Sequence, residues 1–421
     1  MTHIGGEATL RTVTDTAGRP DVETSLGATL RALALPIYLP WFTAVFGVGV
    51  LVPVLPLYLR DQGASFTLVS VVLAASGVGA TIGALPSGSI AGRFGERALL
   101  VVSLVVLAAS TALLGVTGAA VALVALRLAE GAGSVGVTIA QQTRITRHVP
   151  ARVRGRSMSL AGGTFRLAML IGPVTGGVVA DRAGFTAAFA LAGAVTAAGA
   201  LPVLFGPRLA GEERREGDPV EAPSGLLDAL RRHRRLLLRV GVGPALVLAV
   251  RSGRMVVVPL TAAALDLGPA AVGAIVAAGT AADLLLFPIS GHLMDRRGRL
   301  WAMVPSFTLL AVGLVVLAAA TTPALVVVAG VVMGIGNGLG SGTMLTLGSD
   351  VAPADAPGPF LAALGAFHDL GRIIGPLVVG VLADAVGLRF SSLALAGVMV
   401  LGIVWIVVVI GETVDRAPSR P

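Results

Sequence analysis

The chain has no cysteine. That absence excludes disulfides, thiolate metal sites and thiol chemistry, and it leaves the compartment unreadable from redox usage. Lysine is missing too, so all 31 basic residues are arginine; with the abundance of Ala, Gly and Val this reflects a GC-rich coding bias. Charge is scarce: 13% of the residues are charged against 55% hydrophobic, and the charged ones are bunched. Apolar stretches of about 20 residues therefore dominate, long enough to cross a hydrocarbon core of about 30 Å as helices. A soluble chain of this size could not bury a dozen all-apolar helices, so the sequence reads as an all-α integral membrane protein. Residues 1–36 lack a basic stretch followed directly by an apolar core, so no cleaved signal peptide is expected, and the first span itself would target the chain. No G-x-x-x-x-G-K-[ST] loop is present to hold ATP, and no His or Cys cluster has metal-ligand spacing. Neither enzyme chemistry, a cofactor nor a metal is expected. The net charge of +8 would suggest nucleic acid in a soluble chain. Here the positive residues lie between apolar spans and read as topology signals, so no nucleic-acid partner is expected.

Twelve spans are expected, at 37–59, 67–91, 99–117, 119–141, 158–181, 186–206, 240–263, 269–293, 300–320, 323–348, 359–383 and 390–410. An even number puts both termini on one side. Arginines collect in the loops after spans 2, 4, 6 and 8, for example Arg93, Arg97, Arg144, Arg152, Arg231, Arg296 and Arg299, while the opposite loops are short and nearly uncharged. The loop after span 10 is the exception, acidic at Asp350 and Asp355. By the positive-inside rule the termini are cytoplasmic and the protein sits in the cell membrane. The expected organisation is a cytoplasmic segment 1–36, a six-helix half 37–206, a cytoplasmic linker 207–239, a second six-helix half 240–410 and a cytoplasmic tail 411–421. The basic end of the linker, 226–238, reads either as solvated chain or as an amphipathic helix on the anionic inner leaflet. The N-terminal segment and the tail from Glu412 are expected to be disordered.

The halves repeat each other. Gly88, Arg93 and Gly95 recur as Gly291, Arg296 and Gly298; Gly131 and Gly133 recur as Gly334 and Gly336; Gly172-Pro173 recurs as Gly375-Pro376. The offset is 203 residues each time (291 − 88, 334 − 131 and 375 − 172). A parallel repeat in a very apolar chain is a mark of secondary transporters.

Residues 291–299 fit G-x-x-x-D-R-x-G-R through Gly291, Asp295, Arg296, Gly298 and Arg299, and 88–97 is a degenerate copy. With Arg127-x-x-x-Gly131-x-Gly133 in span 4 and Gly172-Pro173-x-x-Gly176-Gly177 in span 5, the chain resembles the major facilitator superfamily over essentially its whole length, and the span-5 motif resembles that of its proton-driven drug exporters. The resemblance implies two pseudo-symmetric six-helix bundles, a monomer, and a loop Asp that helps secure the outward-open state. Asp295 is present in the second half, but Gly92 stands at its counterpart and Glu96 replaces a usual basic residue. The second-half loop is therefore expected to carry more of the conformational restraint. Physically, Asp and Arg in a tight glycine loop can hold neighbouring helix ends through dipole and ion-pair contacts. Gly-Pro bends a helix and paired glycines let a partner approach. Span 10, rich in glycine from Gly334 to Gly342, is expected to be thin and bendable.

Ionisable groups at membrane depth survive where they line a cavity or have a partner. Glu130, Arg166, Arg251, Arg254, Asp283, His368, Asp369 and Arg372 lie well inside their spans, with Arg127 nearer the outer third. Asp369 is the first candidate for the coupling proton because it sits next to His368, one turn from Arg372 and before the Gly375-Pro376 bend. Asp283 is the second, Glu130, held by Arg127, the third, and His368 is also a proton-coupling candidate. Arg127, Arg166, Arg251, Arg254, Asn337 and Arg372 are candidates for the substrate cavity. Arg251 and Arg254 repel one another and need an anionic partner, which Asp283 or Asp369 is expected to supply.

Taken together, the sequence points to alternating access, with a small-molecule substrate bound near the midplane and protons and the lipid bilayer as the other partners. A proton-coupled exporter of small amphiphilic molecules is the first reading. A carrier of anionic metabolites by symport or exchange, suggested by the arginine excess, is the second, and a non-transporting membrane scaffold or sensor a remote third.

Overall fold

Helices are the only way for single apolar segments to satisfy every backbone N–H and C=O inside lipid, and the described residues lie mostly in them. The computed structural model describes residues 34–206 and 231–413. In chain order the helices are α1 (Leu39–Asp61), α2 and α3 (66–94 and 96–114), α4 (Ala120–His148), α5 (Ala151–Ala183) and α6 (Phe185–Phe205). The second half holds α7 (Arg234–Ala263), α8 (Pro269–Arg297), α9 (Arg299–Ala318), α10 (Pro323–Val351), α11 (Pro357–Val386) and α12 (Leu388–Ile410). Helices α2 and α3 are continuous in hydrogen bonding but turn back at Gly95, whose φ of 84° only glycine adopts readily; Gly298 makes the image turn between α8 and α9 at 104°.

Among the described residues ten helices have the length and apolarity to cross a membrane. Phe66–Leu114, 49 residues long, accounts for two crossings, and Pro357–Val386, 30 residues long, completes the twelve expected from sequence. The seventh helix begins at Arg234 rather than at 240, because a helix can run past the apolar stretch into its charged flank. Of the stretch 226–238, residues 231–238 are described, and from Arg234 they belong to α7. The N-terminal segment up to residue 33 and the tail from residue 414 lie outside the described residues. Glu412 and Thr413 overturn the expectation of disorder at their positions: the Glu412 carboxylate accepts from the backbone N–H groups of Arg299 and Leu300 at 2.8 and 3.0 Å, and the Thr413 hydroxyl donates to Asp350 at 2.9 Å.

Within each half the repeat has a packing counterpart. A Cβ on Gly131 of α4 would collide with the Ser76 carbonyl of α2, and one on Gly334 of α10 with the Gly279 carbonyl of α8; both pairs are related by the 203-residue offset. Likewise Gly172 of α5 sits against Phe46 and Gly49 of α1, and Gly375 of α11 against Ala249 and Ser252 of α7. The motif glycines therefore mark close backbone approaches.

The two largest interfaces between the halves among the described residues are α5 with α8 and α2 with α11, and each is the image of the other; α1 adds smaller contacts with α7 and α8. Gly177 of α5 packs against Pro269 and Ala270, and Gly273 of α8 against Pro173 and Gly177; Gly380 of α11 packs against Phe66 and Ser70. Asp384 of α11 caps α2, its two oxygens accepting from the N–H groups of Phe66 and Thr67 at 3.0 and 2.7 Å. These contacts lie at the end with the short loops. At the opposite, basic end, Gly291 lies 18 residues beyond Gly273, about five turns and so on the same face. It has no neighbour within 4 Å, and neither has Gly88, its image on α2. The halves are closed together at the short-loop end and parted at the basic end. No close approach is made at Gly88 or Gly291 in this conformation.

Candidate functional site

The parting of the halves leads to a polar cluster at mid-depth. Arg166 lies near the middle of α5, Arg251 and Arg254 of α7, Asp283 of α8 and Asn337 of α10. Helix α10 is not continuous there. It breaks into Pro323–Leu339 and Thr343–Val351, with Gly342 at φ 79°. The expectation of a bendable helix is met by an outright interruption, and the break turns main-chain carbonyls toward side chains. Broken helices of this kind are tolerated at membrane depth where protein or a water-filled cavity surrounds them. The carbonyl of Gly340 accepts from Arg251 Nη2 at 3.2 Å and from the Thr343 hydroxyl at 2.8 Å, and the carbonyl of Ser341 accepts from Ser290 at 2.7 Å.

Asp283 is the hub. Its Oδ2 accepts from Asn337 Nδ2 at 2.9 Å, and its Oδ1 lies 3.8 Å from Arg166 Nε. Arg166 comes from the other half. Its guanidinium lies 3.8 Å from the centre of the Phe287 ring and donates to the Ser341 hydroxyl. A carboxylate of one half and an arginine of the other thus meet at mid-depth.

Arg251 and Arg254 have the expected Asp283 within electrostatic reach but make no close ion pair with it. Asp283 is engaged by Asn337 and Arg166, and Asp369 by Arg372, so no carboxylate lies within 4 Å of either arginine among the described residues. Arg251 spends one donor on the broken end of α10, where an orphan carbonyl takes the place of an acid. Its guanidinium stands 5.8 Å from the Phe307 ring.

Asp369 and Arg372 pair at 3.3 Å within α11, with side chains 41% and 59% exposed. With neighbouring His368 they line the wall of the parted halves. Asp369, placed first by sequence, thus bonds only within its own helix, whereas Asp283 bridges two halves. Glu130 is 1% exposed; it pairs with Arg127 at 2.8 Å and accepts from Ser76 at 2.6 Å. That triad is sealed between α2 and α4, away from the cluster.

At the basic end Arg93, Asp295 and Arg296 are exposed, and Asp295 has no ion pair within 4 Å among the described residues. Arg299 instead bonds Asp350 of α10 through Nε at 2.8 Å and Nη2 at 3.3 Å. Sequence reasoning missed Ser341, Ser76 and Phe287, because a serine or phenylalanine in an apolar span carries no charge signal. The one cue for Ser341 was its place in the glycine run.

Residues 41–250 and 240–421 each match the model of the Major Facilitator Superfamily, and the chain belongs to that superfamily. It is a multi-pass membrane transporter. An uncharacterised MFS-type transporter of Methanocaldococcus jannaschii is 21% identical over 363 residues, spanning 85% of this chain and 94% of that protein. The multidrug export protein EmrB of Haemophilus influenzae is 30% identical over 156 residues, which is 37% of this chain and only 31% of that protein. Among solved structures, the nucleoside transporter NupG superposes with a TM-score of 0.73 at 14% identity, over 88% of this chain and 98% of that one, a likeness of fold alone.

Proposed function

We propose that the protein is a proton-coupled secondary exporter of small amphiphilic molecules, working by alternating access as a monomer in the cell membrane, with its termini and the 207–239 linker in the cytoplasm. On this reading the parted basic end faces the cytoplasm and the structure is inward-open.

The observation that carries the reading is the meeting of Asp283 and Arg166 across the halves. A proton on Asp283 removes the charge that draws Arg166 to it, so proton occupancy is tied to whether the halves hold together at mid-depth. Asp369 offers no such lever, since its partner shares its helix. For this reason Asp283 takes precedence over Asp369 as the coupling residue, and Glu130 stays third. Export is supported by the Gly172-Pro173 and Gly176-Gly177 segment, which packs on α1 and α8, and by the partial likeness to a multidrug export protein.

The test is transport in proteoliposomes under an imposed pH gradient. Asp283→Asn is expected to abolish gradient-driven accumulation while leaving passive exchange measurable, and Asp369→Asn to leave a substantial part of it. Full gradient-driven transport by Asp283→Asn would overturn the assignment. The second reading, a carrier of anionic metabolites by symport or exchange, draws on the arginine excess and requires counterflow of charged substrates without a proton gradient.

A further inference from the structure

The cluster around Asp283 holds more donors than the protein satisfies. The Nε atoms of Arg166, Arg251 and Arg254 are all buried without a hydrogen-bond acceptor among the described residues. Arg251 lies within electrostatic reach of Arg254, Asp283, Arg166 and Arg372. Three arginines face one carboxylate, a local charge of +2 at membrane depth, where surplus charge is tolerated only beside a partner or water. Arg127 contributes nothing to this surplus because Glu130 neutralises it, and Arg372 contributes nothing because of Asp369.

Arg254 also lines a cavity of about 40 Å³ between α7, α8 and α10, walled by Met255, Ile275, Thr280 and Met333. The volume exceeds what a water molecule needs. Its walls are apolar apart from Thr280 and the arginine. Thr280 donates its hydroxyl to the Val276 carbonyl at 3.0 Å, which leaves Arg254 as the charged anchor of the pocket.

We infer that the ligand of this cluster is a small amphiphilic organic acid, its acidic group held by Arg251 and Arg254 and its apolar part lying along the pocket of Met255, Ile275 and Met333. A cation is excluded from this position by like charge, and a neutral molecule can accept from the guanidinium donors but leaves the surplus positive charge uncompensated. That this ligand is the molecule carried rests on the proposed exporter function, whereas the site itself is an equilibrium binding site.

Three small probes of one shape decide it: butyrate, butyramide and butylammonium, which are anionic, neutral and cationic. Binding is read from thermal stabilisation of the full-length protein in detergent, with no gradient imposed. Butyrate is expected to stabilise saturably, and the other two to bind at least about tenfold more weakly, the factor for one lost charge-assisted contact. Arg254→Gln is expected to weaken butyrate by about tenfold, whereas Arg254→Lys restores part and Arg389→Gln, at the short-loop end, changes nothing. No stabilisation by butyrate, equal stabilisation by all three, or preference for the cation overturns the inference; if Arg254→Gln does not fold, the comparison on the unmodified protein still decides it. Failure here leaves the gradient test on Asp283 untouched, and failure of that test leaves the binding preference standing.

Discussion

Glu96 and Arg299 hold the same place in the two halves, 203 residues apart, with opposite charge, and each is bonded to the end of the helix that follows. Glu96, at the start of α3, is hydrogen-bonded to His148 and lies 4.0 Å from Arg147 at the end of α4. Arg299, at the start of α9, bonds Asp350 at the end of α10. Arg147 and Asp350 are again 203 apart (350 − 147). The bridge is conserved between the halves and its polarity is reversed, so the acidic residue that departs from the usual pattern is matched by a basic partner in its own half. The second-half bridge is further tied to the tail through Thr413.

Reversal of polarity predicts rescue by exchange. Arg299→Glu and Asp350→Arg should each lower the thermal midpoint, and the double exchange should recover much of the loss, with a coupling of about 1 kcal/mol. The Arg299 hydrogen bonds hold the Asp350 carboxyl below the ordinary carboxylate range, with the Thr413 hydroxyl adding to the effect. A folded value below the unfolded one means that this contribution is present above the unfolded pKa and lost as pH falls through the folded one. Acid sensitivity of the midpoint should therefore shrink in Asp350→Asn; additive single and double exchanges would refute the bridge.

The Asp384 cap predicts a change of state. Asp384→Ala leaves the N–H groups of Phe66 and Thr67 without their carboxylate, a loss of about 1 kcal/mol for a typical helix cap. That corresponds to about a fivefold shift away from closure at the short-loop end. Spin labels at Gln62 and Arg389 should report a larger separated population. An unchanged distance distribution would mean that the cap holds only its own helix end.

Gly88 and Gly291 predict the reverse effect. Both have open space beside them, on faces that pack tightly further along the same helices. Gly88→Leu or Gly291→Leu should leave the present conformation stable and obstruct closure at the basic end, lowering turnover while sparing equilibrium binding. Normal transport rates for both variants would show that these faces never come together.

The proposed orientation is tested directly in a cysteine-free chain. An externally applied impermeant thiol reagent should label a single cysteine at Gly118 or Thr322 and spare one at Asp355. Labelling at Asp355 in intact cells would invert the topology.

Span positions were legible in the sequence because each rests on a long apolar run, and the repeat offset fixed which helices correspond. Gly131 and Gly334 could be read as close-packing points because nothing larger than glycine fits against the facing carbonyls. Of the residues singled out at membrane depth, Arg166, Arg251, Arg254, Asp283 and Asn337 come together while Arg127 and Glu130 lie apart, and their connections were not legible. Helical spacing pairs residues within a helix, as Arg127 with Glu130 and Asp369 with Arg372, and those pairs formed. It says nothing of partners on other helices, which is why the bond from Asn337 to Asp283 and the reach of Arg166 across the halves could not be foreseen. The break in α10 was hidden for a related reason: a glycine-rich stretch permits a continuous helix and an interrupted one equally, and the choice is made by neighbours such as Arg251 and Ser290.

Four of the five residues of the mid-depth cluster, Arg251, Arg254, Asp283 and Asn337, ride on the second half, and Arg166 alone comes from the first. On the proposed alternating-access cycle, a passenger held by this cluster stays with one bundle while the other makes and releases a single handhold. Grip and stride then meet only at Asp283, which touches Arg166: substitutions at Arg251 and Arg254 retune what is carried, and substitutions at Arg166 retune how readily the bundles part.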